Sequence, residues 1–278
     1  MRLHEIRFRV PIRAARLACL ALLAAALPLA AAETPSVETI VEETNRVAYY
    51  QGKDGRAQVN MAIVDAQGNE RTRTFVILRR DGQSPDADAT GGQKYYVYFL
   101  RPADIKQTVF LVWKHLGEDD DRWLYQPALD LVKRIAASDK RTSFVGSHFY
   151  YEDVSGRATD LDEHTLEEVT DTYYVLRNVP KDPEAVEFSH YLMYIHKESF
   201  VTVQTEYYDK SGEKYRVYTA TSVETIDGYP TVVESVMKDL AAGGETRMRY
   251  GRVSYDVGLP EEIFTERYLR NPPRQYLR

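Results

Sequence analysis

The chain has 278 residues, with 36 Lys and Arg against 42 Asp and Glu, a formal charge of −6 and 44% hydrophobic residues. Such a composition excludes a disordered or collagen-like chain, and the absence of a basic cluster argues against nucleic acid as a partner. One cysteine, Cys19, excludes both a disulfide framework and a Cys-based zinc site.

Residues 1–32 read as a cleaved signal peptide. Arg2, Arg7, Arg9, Arg13 and Arg16 form a basic leader, an uncharged Ala- and Leu-rich run covers 17–32, and Ala30-Ala31-Ala32 gives an A-x-A ending. The run is too short for the ~20 residues that span a bilayer, and Pro28 interrupts it. Cys19 stands at the very start of the apolar run, three residues after Arg16, so no apolar region lies upstream of it as a lipoprotein signal requires. Cleavage leaves a mature chain, 33–278, that has no Cys and is more acidic still, as suits an oxidising compartment. We expect this mature chain to be soluble, exported and a single domain.

An amphipathic helix opens it. Thr34 is placed to cap, Pro35 suits the first helical position, and Val37, Ile40, Val41, Thr44, Val47 and Ala48 share one face. After Gly52 the period becomes two. Strands are predicted over 57–65 and 71–80, with a turn at 67–69 between them. The polar, Gly-rich stretch 81–92 reads as a long hairpin loop. Strands follow at 93–100, 108–113, 122–126 and 132–135, the last two paired across a turn at 127–130.

Residues 138–154 lack strand periodicity and are expected to form loop and short helices. The β pattern resumes at 164–169, 172–179, 189–195, 200–208, 213–219, 221–226, 231–238 and 245–253, and a helical turn at 260–264 ends the domain. More than ten short strands with few helices predict an antiparallel sheet or barrel. On 93–100, Tyr95, Val97 and Phe99 oppose Tyr96, Tyr98 and Leu100, so both faces of that strand need cover. A strongly curved sheet with helices and loops on its inner side meets that need, and so does a packed sandwich.

Catalytic patterns are absent. No G-x-S-x-G turn exists, and Ser147 and His148 are adjacent, facing different ways in any regular element. No H-E-x-x-H occurs, and His190 and His196 sit roughly 20 Å apart along a strand. The run Glu118-Asp119-Asp120-Asp121 lacks the spacing of a calcium loop and reads as a solvated loop. No cofactor, metal or enzymatic activity is expected. Aromatic residues do gather around the irregular middle segment. Trp113, Trp123, Tyr125, Phe144, Phe149 and Tyr150 are the candidate liners of an apolar ligand pocket, each weighed against a plain role in the core.

The text itself is distinctive: YFLRPADIKQT at 98–108, WLYQPAL at 123–129, VKRI at 132–135, SFVGSHFYYED at 143–153, YYDKSG at 207–212 and LPEEIFTE at 259–266. In these motifs the chain resembles the LolA-like group of bacterial outer-membrane lipoprotein-sorting proteins. The likeness spans the mature chain and is strongest over 98–153. It implies a mainly β fold of the LolA and LppX kind: a curved antiparallel half-barrel covered by helices and loops around an apolar cavity that takes lipid chains. It also implies a periplasmic location in a Gram-negative bacterium. The longer subgroup, which this chain matches, sits beside RND/MMPL-type inner-membrane transporters.

The resulting expectation is a monomeric carrier that shields lipid or lipoprotein acyl chains between the two membranes, with 138–154 as its lid. A sensor domain that binds a protein partner in response to lipid is the alternative.

Overall fold

The computed structural model describes residues 7–9, 34–82 and 92–278. The expected leader 1–32 lies outside the described residues except for Arg7–Arg9, strand β1, which pairs in parallel with Ser222–Glu224. Most of the expected loop 81–92 also lies outside them.

Helix α1 (Val37–Tyr49) begins two residues later than the Thr34 reading. Ser36 is its cap, accepting from the Thr39 N–H at 3.2 Å. Thirteen antiparallel strands follow. They are β2 (Asp54–Val64), β3 (Glu70–Asp81), β4 (Gln93–Arg101), β5 (Val109–Lys114), β6 (Asp121–Gln126), β7 (Leu131–Ile135), β8 (Asp162–Val169), β9 (Tyr173–Pro180), β10 (Phe188–His196), β11 (Thr202–Asp209), β12 (Lys214–Ile226), β13 (Tyr229–Asp239) and β14 (Glu245–Tyr255). The expected strands at 213–219 and 221–226 are one, β12, with register shifts around Ala220 and Ser222 rather than a break.

The strands form one curved, unclosed sheet in the order β7-β6-β5-β4-β3-β2-β14-β13-β12-β11-β10-β9-β8. Every neighbour is a sequence neighbour except at β2–β14, where Met61 opposes Met248 and the two halves of the chain join. Aspartates set three of the hairpins. Asp65 accepts from the N–H groups of Gln67 and Asn69, Asp209 from Ser211 and Glu213, and Asp239 from Ala241 and Ala242.

Period-two alternation sends side chains to two cores. Phe75, Tyr95, Val97, Phe99, Phe110 and Leu124 face inward and meet Phe144, Phe149 and Tyr151 from the segment between β7 and β8. That segment carries a bridge from Ser143 to Tyr150 and a short helix α2 (Tyr151–Ser155). Val76, Leu78, Tyr96, Val109, Leu111 and Trp123 face outward and are covered by the C-terminal segment through Leu259, Phe264 and Leu269.

The chain therefore does not end structurally at 264. It continues through α3 (Arg267–Arg270) and lies on the convex face. Strand side chains hold it there: Asp54 accepts from the Val257 and Leu259 N–H groups at 2.7 and 2.8 Å, Trp113 Nε1 donates to Phe264 O at 2.6 Å, and the Tyr96 hydroxyl donates to Tyr268 O at 2.7 Å. This explains the two apolar faces of β4.

The other half of the concave surface holds α1. Ile40 packs on Tyr174, Leu176 and Ile195, and Val47 on Val201, Val203 and Val223. No helix among the described residues is long and apolar enough to cross a membrane.

Candidate functional site

The concave sheet, α1 and the β7–β8 segment do not meet fully. They leave a cavity of about 410 Å³, a size ordinary for ligand sites. Its sheet wall includes Ala57, Phe75, Ile77, Tyr95, Met237 and Met248, with Phe144 and Phe149 above it and the Val41, Thr44 and Val47 face of α1 beside it. Ala57 lies directly opposite Ile77 in the β2–β3 ladder. Both remain partly accessible although they stand on the inner face.

Polar side chains hold the helix and the segment in place around this space. Arg79 donates to the carbonyls of Gln51 and Gly52 at 2.6 and 2.7 Å and also to that of Tyr49, and Gln93 Nε2 reaches Tyr49 O at 2.7 Å. A cation so placed satisfies the last carbonyls of α1 and complements its dipole. Lys114 does the same for α2, donating to Ser155 O and Gly156 O at 3.0 and 3.2 Å, and burial lowers the pKa of its ammonium. Gly156 has φ +82, and a Cβ there would stand 2.7 Å from the Tyr49 ring, so only glycine lets α2 approach the end of α1.

At one end the cavity wall is ionic. Arg141 bonds Glu152 at 2.7 Å and Glu187 at 2.6 and 2.7 Å, and its guanidinium lies 4.8 Å from the Phe188 ring. Arg157 bonds Asp162 at 2.8 and 2.9 Å and Glu152 at 3.3 Å. Arg216, on β12, bonds Asp153 and donates to His148 O at 2.8 Å. Residues 141–157 are thus fastened to β8, to Glu187 just before β10 and to β12 by paired charges, most of them buried, that bond within the protein. Burial by itself would raise the Glu187 carboxyl, but the bond and charge of Arg141, with a bond from Tyr215, bring it down to about 2. At the apolar end, burial pushes Tyr250 up to about 12 and raises Tyr218 as well.

The aromatic candidates separate by face. Phe144 and Phe149 line the cavity. Phe144 is fully buried among Phe75, Phe99, Phe110 and Tyr151, with ring centroids 5.5 to 6.2 Å away. Tyr150 lies next to the ionic end, its ring 4.0 Å from the Arg216 guanidinium and 5.1 Å from that of Arg141. Trp113, Trp123 and Tyr125 stand on the convex face, against the C-terminal segment. The structure does not bring these three to the cavity, because they share the outward parity of Val109 and Leu111, with Trp123 opposite Leu111 and Tyr125 opposite Val109 in the ladder.

Sequence reasoning passed over Ala57, Ile77, Arg141 and Arg157. The position of Arg141 and Arg157 in the irregular segment was the available signal for two of them. Ser147 and His148 are not paired with each other: Ser147 bonds the backbone of Phe149, and His148 Nδ1 lies 2.8 Å from Thr246 Oγ1. Among the described residues no group of three or more His, Cys, Asp or Glu side chains is arranged to hold a metal.

A family model described as an uncharacterized protein matches residues 91–271. Among solved structures, a DUF1329 family protein from Desulfovibrio piger ATCC 29098 is 27% identical with a TM-score of 0.75, over 85% of this chain and 100% of that one. A putative outer membrane lipoprotein-sorting protein domain from Vibrio parahaemolyticus is 26% identical with a TM-score of 0.74, over 84% of this chain and 97% of that one. A LolA superfamily protein from Nitrosomonas europaea, 19% identical with a TM-score of 0.63 over 84% of this chain and all of its own, shares the fold. No curated protein matches.

Proposed function

The chain belongs to the DUF1329 family of LolA-like proteins, and from that premise we propose that it is a periplasmic carrier that shields lipid acyl chains between the inner and outer membranes. The observation that carries this reading is the apolar cavity between a curved sheet, one helix and an irregular segment. An acyl chain loses roughly 0.8 kcal/mol for each CH₂ exposed to water. A wall of Phe75, Ile77, Met237 and Met248 removes that exposure, and Phe144 and Phe149 cover the chain from the segment side. A partner that loads or receives the lipid, such as an RND/MMPL-type transporter, belongs to the same proposal.

The segment over 138–154 is the lid in this reading. Its hold on the sheet is largely polar and aromatic, so it can part from β10–β12 without dismantling the β ladders. The likeness to a lipoprotein-sorting domain supports a carrier-type role.

Native mass spectrometry of the mature protein, purified gently from the periplasm and followed by lipid extraction, tests the reading. Co-purifying lipid is expected. Ala57→Trp fills the cavity from the sheet side and should abolish lipid uptake while shifting Tm by no more than a few degrees. A clean apo mass, with no uptake of added lipid by the parent protein, would sink the carrier reading.

A further inference from the structure

Apart from Met1, the methionines of the chain are Met61, Met193, Met237 and Met248, and all of them stand on the concave side of the sheet. Met193, Met237 and Met248 line the cavity. Met61 lies directly opposite Met248 in the β2–β14 ladder. Met248 faces Ser235 across the β13–β14 ladder, two residues from Met237, so Met61, Met248 and Met237 make one run across three adjacent strands. Met193 stands on the far flank, between Leu176 of β9 and Thr205 of β11, which also line the cavity. The convex core of the same sheet provides the comparison. It is built from Val, Leu, Ile and aromatic side chains packed against the C-terminal segment, and it includes no methionine.

A permanent partner of fixed shape suits branched and aromatic side chains, whose few rotamers lock one arrangement. Methionine has three rotatable bonds, no branch and a polarisable sulfur, and it re-packs readily around whatever lies on it. We propose that the concave methionines make the cavity tolerant of chain shape: that it accepts straight, cis-unsaturated and methyl-branched acyl chains with similar affinity. The inference rests on the carrier reading and specifies its cargo as a mixed set of chains rather than one lipid. Flexible, methionine-rich surfaces serve unlike partners by the same means. Leucine at these positions has nearly the same volume but fewer ways to fill it. A leucine wall would fit one chain shape and leave voids or overlaps beside the others. The sulfur of Met248 accepts from the Tyr250 hydroxyl at 3.2 Å, so Met193 and Met237 are the freer of the three lining methionines.

The test measures binding of three fatty acids with the same head group to the mature protein: palmitate, cis-palmitoleate and phytanate. Their affinities for the parent protein should lie within about threefold of one another. Met193→Leu with Met237→Leu conserves volume, so the variant should keep its Tm within a few degrees. Its three affinities should spread to about tenfold or more, as a stiffer wall meets chains it does not fit. A wider spread in the parent protein, or a spread in the variant no wider than the parent's, overturns the inference. An equal loss of all three chains in the folded variant overturns it too, since the methionines would then supply affinity and not tolerance. Should the double variant fail to fold, Met193→Leu alone, at a half-buried position, takes its place and is read by the same two outcomes. Failure of all three chains to bind, while lipid co-purifies with the protein, overturns this inference and leaves the carrier reading standing. The same failure with no co-purifying lipid overturns both.

Discussion

Arg141 shows how one side chain couples the lid to the sheet. It leaves the irregular segment, meets Glu152 on that segment and Glu187 just before β10, and lies between the Tyr150 and Phe188 rings. Glu187 gives this coupling a pH dependence. Its carboxyl lies near 2 in the folded protein, below the ~4.3 of an unfolded glutamate, so the folded state holds fewer protons. The stability it contributes is complete above about pH 4.3 and is lost as pH falls toward 2. Urea titrations of the parent and Glu187→Gln proteins across that window should show a shallower acid limb for the variant. Because Glu187 is partly exposed and screened, the difference should stay below about 1 kcal/mol. The aromatic candidates show what a residue reveals alone. Phe144 and Phe149 were legible because an aromatic in a non-periodic segment must pack on something. The face taken by Trp113, Trp123 and Tyr125 was not, since β5 is apolar on both parities and the faces of β6 follow from its pairing with β5.

Among the elements, the C-terminal segment changes the account most. It has little regular structure of its own, yet Leu259, Ile263, Phe264 and Leu269 are almost wholly buried on the convex face. Strand side chains bond its backbone at Val257, Leu259, Phe264 and Tyr268. Leu269→Ala should therefore cost about 2–5 kcal/mol, as for other buried leucines, measured by chemical denaturation. Lipid uptake should persist below the transition, because the residue stands across the sheet from the cavity. A loss of uptake without a loss of stability would contradict that separation. The helical turn at 260–264 was visible as a Pro-initiated motif, while the segment's docking was not, because only the sheet's outward parity reveals a second apolar surface. The start of α1 shifted for a local reason: Ser36 offers its hydroxyl to Thr39 N, so the helix begins after it rather than after Thr34.

At the scale of the molecule, the sheet is open, and among the described residues no strand pairs with the outer side of β7 or β8. The first exposes Lys133 and Arg134 and the second Glu163, Glu167 and Glu168. Charged edges discourage strand pairing between copies. Replacing Lys133 and Arg134 with valine should produce concentration-dependent oligomers in sedimentation velocity, whereas the parent protein should sediment as a monomer. Openness also matters for the cavity. A closed barrel would fill its interior with its own side chains, but a curved sheet roofed by one helix and one irregular segment leaves space where the two roofs do not meet.

The sequence by itself determined the elements and their alternation. Period two over 57–65 and 71–80, the turn at 67–69 and an apolar stripe on α1 are local signals, and local signals survive without tertiary context. It also determined that β4 needed cover on both faces, and its motifs carried the likeness to the LolA-like group. The tertiary structure alone decided which cover lies on which face, because nothing within β4, β5 or β6 distinguishes concave from convex. It alone decided that Arg141, Arg157 and Arg216 would find their carboxylates across 5 to 63 residues of chain. The cavity itself was beyond the sequence for a simpler reason. It is bounded by small or partly accessible side chains such as Ala57 and Ile77, and an unfilled volume is a property of how elements meet rather than of any residue in them.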